Sequence, residues 1–224
     1  MAHTKLWYFE RFGLLQGLTA SQRQEIEQKT RMIKIRRGDS IYLPGDQSAD
    51  VFIIKTGSVK ILGRSPEGGE VISAVLGPGD VFGELALLET GPQEDSAQAA
   101  DDTLLCAIPR EVLVRFIHDA PAFGFKVTKL IGLRVRTLRT RVEELLGKSA
   151  SSRLAHALRE LGRQHGVQDD QGVLIPLRLS QQDLGKLVGL TRETVNGILH
   201  DWRERGLIEM DRRSVRLRDP DRLN

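Results

Sequence analysis

The chain has 224 residues and a mass of 25.0 kDa, with 40% hydrophobic and 28% charged side chains, the profile of a globular protein with one large or two small domains. Its apolar runs are too short and too often broken by charge or glycine to cross a bilayer, which takes about 20 consecutive apolar residues, and Glu10 and Arg11 stand where a secretory apolar segment would begin, so a cytoplasmic protein without a membrane partner is expected. The single cysteine, Cys106, excludes an internal disulfide and a cluster held by several thiolates.

Charge is unevenly spread along the chain. Residues 1–119 carry 13 Lys and Arg against 17 Asp and Glu, residues 120–146 carry 6 against 2, and residues 147–224 carry 14 against 11. A basic C-terminal part joined to an acidic N-terminal part suits a protein that meets a polyanion at one end.

In chain order, Thr19 to Lys29 reads as a helix capped by Thr19 or Ser21, with Gln24 or Glu25 as the reciprocal partner. From Arg31 to Pro109 short apolar or β-branched runs alternate with turns such as Gly38-Asp39, Pro44-Gly45-Asp46, Gly68-Gly69 and Gly77-Pro78-Gly79-Asp80. The runs Ser40 to Leu43, Val51 to Lys55, Ser58 to Leu62, Val71 to Leu76 and Leu104 to Ile108 have strand length and composition, and such spacing predicts a barrel or jelly roll.

After Pro109 the period changes. Pro121 can open a helix, and no proline follows until Pro176. Ile131, Val135, Leu138, Val142 and Leu145 step by alternating fours and threes with arginines off the stripe, which predicts a dimer seam on a long helix. Small residues from Gly147 to Ser152 end it, and a new helix starts at about Ser151 and runs to His165.

Leu179 to Arg203 reads as helix, tight turn, helix. Ser180 caps the first helix with Asp183 behind it, Gly189-Leu190 turns the chain, and Thr191 caps the second. The second helix then presents Arg192, Glu193, Asn196 and His200 near its N-terminal half, as a recognition helix does in the major groove. Arg192 would read a guanine, Glu193 a cytosine amine and Asn196 an adenine. Leu207 to Met210 and Ser214 to Arg218 form a hairpin whose tip holds Arg212 and Arg213, a wing suited to the phosphate backbone. Ser180, Gln181, Thr191, Thr194 and His200 are the remaining expected phosphate contacts.

Two segments carry a family resemblance. Gly-Pro-Gly-Asp-Val-Phe-Gly-Glu-Leu-Ala-Leu-Leu (Gly77 to Leu88) and Leu-Ser-Gln-Gln-Asp-Leu-Gly-Lys-Leu-Val-Gly-Leu-Thr-Arg-Glu-Thr-Val (Leu179 to Val195) resemble the CRP/FNR family of bacterial transcription regulators. The resemblance implies an α+β protein: a cyclic-nucleotide-binding-type β-roll over 1–120, a dimerisation helix and hinge over 121–148, and a winged helix-turn-helix over 149–224. It also implies a homodimer on palindromic double-stranded promoter DNA, RNA polymerase as a partner, no catalysis, and a half-site related to TGTGA in which Gly197 replaces a second base-reading arginine.

The resemblance equally marks a departure. Cyclic-AMP-binding members pair a Gly-Glu-Leu, here Gly83, Glu84 and Leu85, with an Arg-Ser or Arg-Thr that holds the cyclic phosphate. Here Asp95 precedes Ser96, and Leu138 and Arg139 stand at the helix positions that bond the adenine. An anion facing an anion is repelled, so cyclic AMP is not expected as effector. The five histidines, His3, His118, His156, His165 and His200, lie outside the roll strands, which leaves no ligand set for haem or for a metal enzyme of the barrel type. No cofactor or metal is expected. Two readings stay open: an unidentified ligand in the roll, or no ligand.

Overall fold

Local caps and turns set the N-terminal architecture in this computed structural model, which describes residues 19–47, 49–87, 91–211 and 214–223. Helix α1 (Ala20–Lys29) begins at Thr19, whose hydroxyl accepts from the Gln22 N–H while the Gln22 side chain accepts from the Thr19 N–H. The reciprocal partner is therefore Gln22, not Gln24 or Glu25, because only the third helical position reaches back to the cap.

Eight strands follow: β1 (Arg31–Ile35), β2 (Ser40–Tyr42), β3 (Asp50–Thr56), β4 (Val59–Arg64), β5 (Glu70–Leu76), β6 (Val81–Phe82), β7 (Ser96–Ala99) and β8 (Thr103–Pro109). They build two antiparallel sheets, ordered β1-β8-β3-β6 and β2-β7-β4-β5. Between them lie Tyr42, Phe52, Ile54, Ile61, Phe82 and Leu105, with the Phe52 and Phe82 rings stacked at 5.0 Å between centroids. The outer face of the first sheet, with Val51, Ile53, Cys106 and Ile108, is covered by α1 and by α2 (Arg110–Asp119) through Ile26, Val112, Leu113 and Phe116. Successive strand residues point to opposite faces and both faces are buried, so β3 and β8 read as continuous apolar runs.

Gly57 turns β3 into β4 at φ +84°, and a Cβ there would lie 2.5 Å from the Asp102 carbonyl oxygen. Gly57→Ala should therefore cost about 1–3 kcal/mol from the left-handed backbone alone, with the clash added; a urea-unfolding midpoint equal to wild type would refute this.

Helix α3 (Pro121–Gly147) opens with Pro121 in its first turn. Helix α4 (Ala150–His165) is capped by Ser149, whose hydroxyl accepts from the Ser152 N–H, so it starts slightly before the expected Ser151. Then come β9 (Val167–Asp169), β10 (Gly172–Ile175), α5 (Gln181–Val188), α6 (Arg192–Glu204), β11 (Ile208–Met210) and β12 (Val215–Leu217). The last two form the expected hairpin, but as half of a sheet ordered β11-β12-β10-β9. Trp202, fully buried, packs in one core with Leu154, Leu158, Leu184, Leu199 and Leu217.

The C-terminal unit is docked on the roll. Leu62, Ile72 and Val75, on the outer face of the second sheet, belong to the same buried cluster as Leu184, Leu187 and Val188 of α5. Lys60 pairs with Asp183 at 2.9 Å and Lys186 pairs with Glu70, while Arg141 of the long helix α3 donates to the Ser73 carbonyl. Gly77 serves this docking as well as its turn: a Cβ there would sit 2.7 Å from Nδ1 of His165. Burying each apolar side chain is worth about 1.5–3 kcal/mol as an upper figure, against about 0–1 kcal/mol for an exposed pair such as Lys186–Glu70. Apolar contact therefore dominates the docking, and the charges set its register.

Candidate nucleic-acid interface

Helices α5 and α6 owe their geometry to local signals. Ser180 and Asp183 form a reciprocal cap: the Ser180 hydroxyl accepts from the Asp183 N–H, and Asp183 Oδ2 accepts from the Ser180 N–H at 3.0 Å. Gly189 ends α5 in the left-handed conformation, φ +67°, where glycine carries no steric penalty. Gly185 lets the turn fold back, since a Cβ on it would lie 2.6 Å from the Leu190 carbonyl oxygen. Thr191 then caps α6, its hydroxyl accepting from the Thr194 N–H at 3.1 Å. Val195, Leu199 and Trp202 are buried, which fixes the face that α6 turns to solvent.

That outward face carries Arg192, Glu193, Asn196 and His200, all exposed, with Thr191 and Thr194 beside them. Gln181 donates to Oδ1 of Asn196 at 2.9 Å, so the structure ties an expected phosphate contact to an expected base reader. One Asn196 lone pair is thereby occupied, and a bidentate grip on adenine would have to share it. Arg212 and Arg213 lie outside the described residues. Basic residues on the neighbouring strands are partly matched internally: Arg216 bonds Asp169 at 2.5 Å, and Arg218 pairs with Glu209. The basic excess of the C-terminal part therefore overstates the charge available to a partner there.

Asp183 holds two jobs, capping α5 and meeting Lys60. Burial disfavours its charge, but hydrogen bonds from Lys60 and Ser180 outweigh that and hold its carboxyl below the usual range. A depressed folded pKa gives stability that is present above the unfolded value of about 3.9 and is lost as pH falls through the lower folded value. The stability gap between wild type and Asp183→Asn should accordingly narrow as urea-unfolding curves are taken from pH 6 to pH 3; a gap constant across that window would contradict the assignment.

In the roll, Gly83 has φ +75° and lies so close to Phe52 and the Asp50 carbonyl that a Cβ would be 3.0 Å from that oxygen. Glu84 opens the short 3-10 turn Glu84–Leu87, Leu85 is 52% exposed, and Asp95 and Ser96 are half-buried at the start of β7. The helix positions expected to face this pocket do not close it within one chain. Leu138 is 50% exposed, and Arg139 is exposed and bonded to Glu143 on its own helix at 3.1 Å. The expected seam is similarly open: Val135, Leu138, Val142 and Leu145 are each at least half exposed, while Ile131 is half-buried. Leu145 also reaches the turn between α5 and α6, its Cδ2 lying 3.4 Å from a Cβ position at Gly189.

Sequence reasoning missed β1, β6, β7, β9, β10 and α2. It also missed every contact between the roll and the C-terminal unit. Among the described residues no helix is long and apolar enough to cross a membrane.

Known proteins agree with this arrangement. A cyclic nucleotide-binding domain profile matches residues 32–120, and a Crp-like helix-turn-helix domain profile matches residues 152–224. The chain is 30% identical over 213 residues to the CRP-like cAMP-activated global transcriptional regulator of Mycobacterium tuberculosis, covering 95% of each chain. It is 32% identical over 183 residues to the cyclic AMP receptor protein of Thermus thermophilus, covering 82% of each. Its fold resembles that of FixK2 from Bradyrhizobium japonicum with a TM-score of 0.76 at 28% identity, covering 87% of this chain and 95% of that one. With an N-terminal β-roll, a long helix and a capped helix-turn-helix in one continuous match, the chain belongs to the CRP/FNR family of DNA-binding transcription regulators.

Proposed function

We propose that the protein binds palindromic promoter DNA as a homodimer, with Arg192, Glu193 and Asn196 reading bases, and that it does so without cyclic AMP. The exposed face of α6, held outward by buried Val195, Leu199 and Trp202, carries the reading. Ser180, Gln181, Thr191, Thr194, His200, Arg212 and Arg213 serve as the phosphate contacts, which position the helix without reading sequence. The apolar stripe Ile131, Val135, Leu138, Val142 and Leu145 supplies the dimer seam, and a two-fold pair of recognition helices suits two half-sites one helical turn apart. Such a dimer works on the chromosome in the cytoplasm, alongside RNA polymerase.

Independence from cyclic AMP rests on Asp95. Two relatives are named for cyclic AMP, whereas this roll places a carboxylate beside Ser96, where the resemblance calls for the phosphate-holding arginine. A charge-assisted bidentate bond is thereby exchanged for repulsion. Purified apo-protein is expected to bind the palindrome selected from random DNA with unchanged affinity when cyclic AMP is added, read by fluorescence anisotropy. Micromolar heats for cyclic AMP with coupled tightening on DNA would overturn this, and no site-specific binding by the apo-protein would overturn the ligand-free reading. Asp95→Arg is the complementary probe, expected to create nucleotide binding where wild type has none.

A further inference from the structure

Docking of the C-terminal unit on the roll leaves a cleft of about 530 Å³ between them. Its roll side is the turn after β1, with Arg37 and Gly38, together with Lys60 of β4 and Gln98 of β7. Its other side is the extended segment leading into α5, with Arg178 and Ser180, and the end of β11, with Asp211. It lies apart from the pocket expected around Glu84 and Asp95, since none of those residues lines it.

The charges of the cleft are unevenly matched. Lys60 and Asp183 neutralise each other at 2.9 Å with side chains only 15% and 16% exposed. Both Asp183 oxygens are taken, one by Lys60 and the other by Ser180. Gln98 donates to the Gly38 carbonyl, and the Arg37 backbone N–H donates to Asp102, which together fix the turn. The guanidiniums of Arg37 and Arg178, by contrast, have no carboxylate partner among the described residues. Arg178 lines the cleft, while Leu177 and Leu179 on either side of it are buried in the core of the C-terminal unit. Asp211 at the rim offsets one of the two charges.

We infer that this cleft is a ligand site for a small phosphate monoester, held between the forks of Arg37 and Arg178. Two arginines lining one cleft, with one carboxylate at the rim beyond the Lys60–Asp183 pair, leave a net positive charge that favours an anion. A phosphate presents enough oxygens for both planar forks at once, where a lone carboxylate has only two. The volume falls within the range of about 300–1,000 Å³ of small-molecule sites, which suits a mononucleotide or a sugar phosphate. The site exists only when the two domains are docked, so the ligand favours the docked arrangement. Ser180, which the proposed function gives to the DNA backbone, and Asp211, next in the chain to the wing arginines, both line it. On that reading, ligand and DNA are negatively coupled, and the coupling is reciprocal.

The test uses full-length protein and calorimetry with AMP and with ribose 5-phosphate, which separate a nucleotide source from a sugar phosphate, and with succinate as a carboxylate control. At least one phosphate is expected to bind, and Arg37→Ala and Arg178→Ala should each weaken it by about 10-fold or more. Anisotropy on operator DNA at matched ionic strength should then show weaker DNA binding with ligand in wild type and no change in Arg37→Ala. Absence of heat with both phosphates, binding equal in wild type and both variants, or binding of succinate alone would overturn the site. So would a loss of DNA affinity in Arg37→Ala without any phosphate binding, which would make the arginine a DNA contact. Failure to bind operator DNA while the phosphate still binds would sink the proposed function and leave the site standing.

Discussion

Replacing Arg192 by alanine is expected to weaken binding to the selected palindrome by about 30-fold to 20,000-fold while binding to random DNA barely changes. A good bidentate contact gives about 1–3 kcal/mol of discrimination, and a homodimer loses it in both half-sites, which doubles the free energy. Arg192 is exposed in the first turn of α6 and the helix is held by Val195, Leu199 and Trp202, so the loss is one of contact and not of fold. Selection from random DNA should lose one base-pair preference per half-site. Arg213→Ala makes the contrast: it should weaken all sequences alike and lower the salt slope by roughly one per contact. A selected motif unchanged in Arg192→Ala but altered in Arg213→Ala would exchange the roles of reader and clamp. Gly197 offers the opposite experiment. A Cβ there meets nothing within 4 Å, so Gly197→Arg should fit, stabilise α6 by up to about 1 kcal/mol and sharpen preference at one further base pair.

Leu138→Glu should turn the dimer into a monomer and reduce specific DNA binding to the non-specific level, roughly 10⁻⁴ to 10⁻⁶ M at physiological salt. Leu138 sits midway along a stripe whose members Val135, Val142 and Leu145 are 60%, 56% and 53% exposed in the single chain. A partner helix would cover that remaining surface by knobs-into-holes packing. A carboxylate on each protomer at the centre of the seam must either be desolvated or hold the helices apart, at several kcal/mol. Because Leu138 is half exposed in one chain, the variant should keep its circular dichroism spectrum and the buried packing of both domains. Sedimentation equilibrium at micromolar concentration is the measurement. A wild-type monomer, or a Leu138→Glu dimer with wild-type affinity, would refute the seam.

The helix-turn-helix was legible in the sequence because its determinants are local. Ser180 with Asp183, Gly189 and Thr191 each act within one helical turn, and the observed caps and left-handed glycine fall on those residues. The roll was legible where turn glycines punctuated β-branched runs, as in β3, β4, β5 and β8. It was not legible in β7, whose Ser-Ala-Gln-Ala has little strand character and is extended because β2 and β4 pair with it on both sides. β9 escaped notice for the same reason: Val167, Gln168 and Asp169 are all exposed, and only pairing with β10 makes them a strand.

Sequence by itself determined the caps and the turn of the helix-turn-helix, together with the strands β3, β4, β5 and β8, since caps, turn glycines and apolar runs are written within a few residues of one another. Tertiary structure alone decided how the C-terminal unit sits on the roll. Lys60 meets Asp183, His165 fills the space left by Gly77, and Leu62, Ile72 and Val75 share a core with α5. Each of these partners is far from the other in the chain, and an apolar residue in a strand reads the same whether its outer face meets water or another domain. Only the packing shows that this face is covered, and that Arg37 and Arg178 are thereby brought to the walls of one cleft.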